Sequence, residues 1–135
     1  MTAVNYPHGL VDPIESLNNY LLRHSSKVWI HVDSCLGGYI TSISSKLGDK
    51  RFEKTDFRLA KVGTISVDPH KYAQAPKGCS VLLFRTRKLK ACSIYANSDW
   101  NGGWYTTPSM PGSRSSSSFV GAWIAILYKG MDGFI

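Results

Sequence analysis

Two short apolar runs constrain this chain more than any other feature. KVWIHVD (27–33) and KVGTISVD (61–68) are nearly continuous, rich in β-branched residues, and each closes on an aspartate. The first reads as a strand covered on both faces, the pattern of a parallel sheet. A third run, CSVLLFRT (79–86), stands close enough behind the second to pair with it as a hairpin. Upstream, GLVDPIESLNNYLLRHS (9–25) reads as a helix. Asp12 is placed to cap it, Pro13 fits the first helical position, and Glu15 completes a capping box. Ile14, Leu17, Leu21 and Tyr20 recur at helical spacing and would face a core. A helix feeding such a strand predicts an α/β fold with a parallel sheet.

The remaining segments are less regular. SCLGGYITSISSKLG (34–48) leaves the sheet through Gly37–Gly38 into a weak helix or loop. NSDWNGGWYTTPSMPG (97–112) reads as a long irregular stretch, of a length that is often functional. Residues 115–129 look like a helix that is apolar nearly all round and suits a core.

Composition narrows the function classes. A chain of 135 residues holds one domain at most, and 43% hydrophobic residues argue against disorder. Sixteen basic against nine acidic residues give +7, which would attract nucleic acid, an anionic membrane or a phosphorylated small molecule. The charge is spread from Arg23 to Lys129, and the cluster Arg85, Arg87, Lys88 and Lys90 reads as a solvated face. No nucleic-acid motif is present, so no nucleic-acid partner is expected. Cys35, Cys79 and Cys92 form no C-x-x-C pair and read as small buried hydrophobes in a reducing compartment, with no metal site. No apolar run is long enough to span a bilayer. The chain starts inside a loop-like segment, MTAVNYPHG, and stops as KGMDGFI begins a new element, which reads as a fragment.

Chemistry concentrates at the strand ends. In open α/β sheets ligands bind beyond the carboxyl ends of strands, so Asp33 and Asp68 are equal site candidates, although each would serve equally as a turn cap. Lys71, with His70 beside it, follows a buried strand directly. A lysine nucleophile needs a held position and a partly desolvated amine. If Lys71 carries pyridoxal 5'-phosphate as a Schiff base, the ring nitrogen needs an anionic partner, and Asp33 is the natural one.

The segments YPHGLVDPIESL, HVDSCLGGYI, SVDPHKYAQAPKG and the late GSR together resemble the group II pyridoxal-phosphate decarboxylase family. More closely, they are similar to its lyases of phosphorylated sphingoid bases. The resemblance implies part of the large domain of a fold-type-I transferase over residues 1–135, a mostly parallel sheet with flanking helices. An upstream cofactor-binding segment and a C-terminal small domain would lie outside it. It implies Lys71 as the Schiff-base lysine, Asp33 against the ring nitrogen, His70 near the cofactor and Ser34 against its ring. Lys77 would handle the anionic substrate, or be a solvated loop lysine. His8 would contact substrate or cofactor, or be a plain loop histidine. Gly102, Gly103 and Tyr105 match a loop near an active site, the neighbouring subunit's included. His31 reads as a hydrogen-bonded core histidine, and Arg114 as a helix cap or an anion ligand. Pro69 and Ala73–Gln74 depart from the family's usual Thr and Gly-Tyr.

The implied activity is cleavage of a phosphorylated sphingoid base to a long-chain aldehyde and phosphoethanolamine. The alternatives are an amino-acid decarboxylase on the same scaffold and an inactive fragment without turnover. The resemblance further implies a homodimer, with anchoring in the endoplasmic reticulum membrane, if eukaryotic, through a segment outside this chain; otherwise the cytoplasm.

Overall fold

The computed structural model describes all 135 residues. Strands β1 (Ile30–Asp33), β2 (Val62–Val67) and β3 (Val81–Phe84) form one sheet in that order. β1 and β2 are parallel, with Val32 opposite Ile65 and Asp33 opposite Ser66. β3 returns antiparallel to β2, as the spacing of the two runs predicts. The expected mostly parallel sheet is therefore met at β1–β2 alone, and within this chain the sheet is mixed. Helix α1 (Ile14–Arg23) precedes the sheet, and α2 (Gly38–Lys46), α3 (Arg87–Ala91) and α4 (Ser116–Lys129) connect or follow the strands.

The core is small and lies on one face of the sheet. Ile30 and Val32 of β1 and Val62 and Ile65 of β2 bury against Ile14 and Leu21 of α1, with Ala3 and Leu59 closing the cluster. β1 alternates buried and exposed residues, so its expected two-sided cover is not found in this chain. Its other face presents His31, which is exposed rather than in the core, its ring Nδ1 2.8 Å from Thr64 Oγ1.

α1 begins where expected, by a different device. Asp12 does not cap it; its carboxylate accepts the N–H of Thr2 at 2.7 Å, and Pro13 is the N-cap residue. The cause is long-range. The N-terminal segment lies along β1, where Asp33 N–H donates to Met1 O and Ala3 N–H to Asp33 O, and this brings Thr2 to Asp12. Glu15 pairs with Lys54 at 3.7 Å instead of completing a capping box. Tyr20 points out and stacks on His24. Asn18, buried, accepts the Lys61 N–H at 2.9 Å and ties α1 to the chain entering β2.

Arg85 is not part of a solvated face. Its guanidinium donates to the carbonyls of Val62, Phe57 and Leu59 and lies over the Phe57 ring, so it clamps the loop before β2 onto β3. Gly37 and Gly38 let α2 start hard against its neighbours. A Cβ on Gly37 would stand 2.4 Å from Val4, and one on Gly38 2.9 Å from Ser34. The Trp-rich stretch is not wholly irregular, since β4 (Tyr95–Asn97) and β5 (Tyr105–Thr107) pair antiparallel within it. α4 is not a core helix in this chain: only Ala122 is buried, and Trp123 is 63% exposed.

Ile14 is fully buried at the centre of the α1–sheet contact. An Ile14→Ala variant is expected to lose about 2–5 kcal/mol, read as a lower denaturant midpoint at unchanged slope.

Candidate active site

The two parallel strands deliver their last residues side by side. Asp33 ends β1, and one residue after β2 the chain turns through Asp68, Pro69 and His70 to Lys71. Backbone bonds build that turn: Lys71 N–H donates to Asp68 O, Gln74 N–H to Lys71 O, and Ala75 N–H to Pro69 O. Pro69 is buried beneath it. Gln74, part of the Ala73–Gln74 departure expected from the resemblance, takes a left-handed φ of 59° and accepts a hydrogen bond from Lys129 of α4. The departure is thus accommodated, with the turn anchored to a helix.

Asp33 and Lys71 open into one cavity of about 570 Å³, walled also by Thr2, Asn5, Tyr6 and Cys35. Cys35 bridges the two. Its N–H donates to Asp33 Oδ1 at 3.1 Å, and its Sγ accepts from Lys71 Nζ at 3.2 Å. Asp33 Oδ1 also accepts the Ser66 hydroxyl at 3.0 Å. Burial pushes the Asp33 carboxyl up, but the bonds from Cys35 and Ser66 outweigh it and hold the group below the ordinary carboxylate range. Asp33 is therefore an anion at neutral pH, aimed into a cavity of ligand size.

Lys71 corrects an expectation. Its amine is not left neutral by desolvation. The Asp68 carboxylate at 2.9 Å, joined by the Cys35 thiol, holds the ammonium above the ordinary lysine value. Asp68 is the hub of this corner. Burial raises its carboxyl, but the Ser80 hydroxyl at 2.6 Å and the Lys71 ammonium outweigh burial and keep it ionised. The His70 ring is fixed beside it, with Nδ1–H donating to Cys79 O at 3.1 Å and Nε2 3.9 Å from Asp68.

The other sequence-predicted residues lie apart. Ser34 is buried with its Cβ against Gly38 and does not line the cavity. His8 is exposed, beyond the Tyr6 that walls the cavity. Lys77 is exposed at the end of the loop. Gly102, Gly103 and Tyr105 belong to the exposed β4–β5 hairpin, where Trp100 lies over Gly102 and edge-on to Tyr105, and Gly103 takes a φ of 96°. Arg114 reaches only the Gly112 and Ser113 carbonyls, and Ser115 caps α4.

Two contributors escaped sequence reasoning. Cys35 looked like a small hydrophobe. Ser66 carried a signal, because alternation in VGTISV puts Thr64 and Ser66 on one face. Asp68 was a candidate from the sequence, but its carboxylate engages Lys71 and Ser80.

A lysine amine and an ionised carboxylate facing one 570 Å³ cavity are the donor set that a pyridoxal group requires. Comparison with known proteins agrees. Residues 7–134 match the family described as the pyridoxal-dependent decarboxylase conserved domain.

The chain belongs to the pyridoxal-dependent decarboxylase family.

Among curated members, the sphingosine-1-phosphate lyase of Saccharomyces cerevisiae is 42% identical over 134 residues, 99% of this chain and 22% of that protein. Among solved structures, the sphingosine-1-phosphate lyase of Burkholderia pseudomallei superposes with a TM-score of 0.87 at 38% identity, covering 98% of this chain and 30% of that one. Glutamate decarboxylase of Lactobacillus brevis superposes at 0.72 with 26% identity, over 93% of this chain and 28% of that one. The chain thus spans 22% of the length of the yeast relative. This member of the decarboxylase family has no helix long and apolar enough to cross a membrane.

Proposed function

We propose that this chain supplies the cofactor-holding lysine and the ring-facing acid of a pyridoxal 5'-phosphate-dependent aldehyde lyase. The substrate is a phosphorylated sphingoid base, and the products are a long-chain aldehyde and phosphoethanolamine. The observation that carries the reading is the shared cavity of Asp33 and Lys71, with Cys35 touching both. The substrate class rests on the similarity to sphingosine-1-phosphate lyases, at 42% and 38% identity.

When bound, pyridoxal phosphate supplies an electron sink for the pair released as the C2–C3 bond breaks. The chain's own groups do the rest. Lys71 would hold the cofactor through its amine. Asp33, kept ionised by the Cys35 N–H and the Ser66 hydroxyl, would keep the cofactor's ring nitrogen protonated. His70, fixed on Cys79 O, offers its Nε2 edge toward the Asp68 side of the site. We assign Lys77, exposed at the loop end, to the substrate phosphate. We assign Gly102, Gly103 and Tyr105 to a contact with a neighbouring subunit's site in a homodimer, consistent with their exposed hairpin. Attachment to the endoplasmic reticulum membrane would run through a segment outside these residues.

The second reading, an amino-acid decarboxylase, draws on the glutamate decarboxylase likeness. Product analysis separates them. The intact protein, supplied with pyridoxal phosphate and with either a phosphorylated sphingoid base or glutamate, is expected to release aldehyde from the first and no carbon dioxide from the second. Carbon dioxide without aldehyde would establish the decarboxylase instead.

A further inference from the structure

Asp68 is engaged on every side by groups that hold it still. Ser80 Oγ donates to Oδ1 at 2.6 Å, Lys71 Nζ donates to Oδ2 at 2.9 Å, and the Asp68 N–H reaches Cys35 O. Asp33 makes a separate set of bonds, its Oδ1 accepting from the Cys35 N–H and the Ser66 hydroxyl. The corner therefore holds two carboxylates with separate duties, one toward the cavity and one on the lysine. An ammonium–carboxylate pair at this distance keeps the lysine protonated and aimed at its partner.

Resting on Lys71 as the cofactor lysine, we infer that Asp68 is a positioning residue that parks the Lys71 amine whenever it is not bonded to cofactor, and so sets the pH at which Lys71 captures an aldehyde. Capture forms a C=N bond between Nζ and the aldehyde carbon and expels the aldehyde oxygen as water. Before that, the ammonium gives one proton to solvent, and Asp68 opposes the loss. The pair also gives the amine a fixed resting place each time the substrate amine displaces it.

The groups facing Lys71 are few. Asp68 and His70 belong to its own turn, Cys35 and Asp33 come from the end of β1, and Tyr6 comes from the N-terminal segment across the cavity. Asp68 and Asp33 are the only carboxylates among them, and Asp68 is the one in contact.

The test uses the intact protein stripped of cofactor. Pyridoxal phosphate is added over a pH series, the adduct is trapped with borohydride, and Lys71 is located by peptide mass. In Asp68→Asn the midpoint of capture is expected at lower pH, with about two- to fivefold faster capture at neutral pH, the range a partly exposed ion pair supplies. Asp68→Glu is expected to keep the wild-type midpoint. An unchanged midpoint in Asp68→Asn overturns the role. Should that variant not fold, acetic anhydride labelling of the wild-type protein reads Lys71 directly. A midpoint above an ordinary lysine supports the pairing, and one at or below it overturns it. Failure of the functional reading looks different: pyridoxal phosphate is then not trapped on Lys71 at any pH, although the anhydride labels it.

Discussion

Replacing Lys71 with alanine is expected to abolish the borohydride-trapped pyridoxyl adduct and to lower aldehyde release by on the order of 10⁶-fold, the scale seen when a covalently acting residue is removed. The loss should come with little change in stability. Lys71 is partly exposed, and its side chain makes one ion pair and one thiol contact. Partly exposed pairs of this kind contribute at most about 1 kcal/mol. A variant that unfolds would therefore point to a structural role for Lys71, whereas one that folds and neither binds covalently nor turns over fits the proposed one. Lys77 provides an internal comparison, because it lies six residues on in the same loop and faces solvent. Adduct moving to Lys77 in the variant would show a pocket that tolerates either amine.

Replacing Asp33 with asparagine is expected to separate binding from turnover. Asparagine Oδ1 can still accept the Cys35 N–H and the Ser66 hydroxyl, so the end of β1 keeps its local bonds. The charge that Asp33 would offer the ring nitrogen is gone. Adduct should still form on Lys71, while turnover falls by about 10²- to 10³-fold, the usual cost of removing one preorganised electrostatic partner. Equal loss of adduct and of turnover would contradict the assignment. A pH dependence follows with its sign. The folded-state value of Asp33 is depressed below the ordinary one. Its contribution to stability is therefore complete above the unfolded carboxylate value and is lost as pH falls through the lower folded value. Activity that depends on ionised Asp33 should accordingly persist into acid conditions below the ordinary carboxylate range.

Local pattern carried much of this fold. The β-branched runs marked β1 and β2, and their spacing to CSVLLF announced the β2–β3 hairpin. Strand ends that place Asp33 beside the turn to Lys71 follow from the parallel pairing. What stayed hidden depends on contacts far apart in sequence. Asp12 is a good cap by type, yet the N-terminal segment on β1 claims its carboxylate. Arg85 looks like surface charge, yet two carbonyls of the loop before β2 and the Val62 carbonyl at its start meet its guanidinium. Cys35 looks apolar because nothing near it in sequence marks a lysine 36 residues away as its neighbour. The apolar length of α4 reads as core, but Ala122 is its only buried residue, and its contacts include Gly121 against Pro76 and Lys129 on Gln74. The β4–β5 hairpin was masked by a long Gly- and Trp-rich connection in which three-residue strands show no period.

The most direct measurement is a crystal structure of the intact protein with pyridoxal phosphate. The account predicts density continuous between Lys71 Nζ and the cofactor, with an Asp33 carboxylate oxygen within hydrogen-bond distance of the ring nitrogen. A cofactor joined to Lys77, or a ring nitrogen turned toward any group other than Asp33, would contradict it.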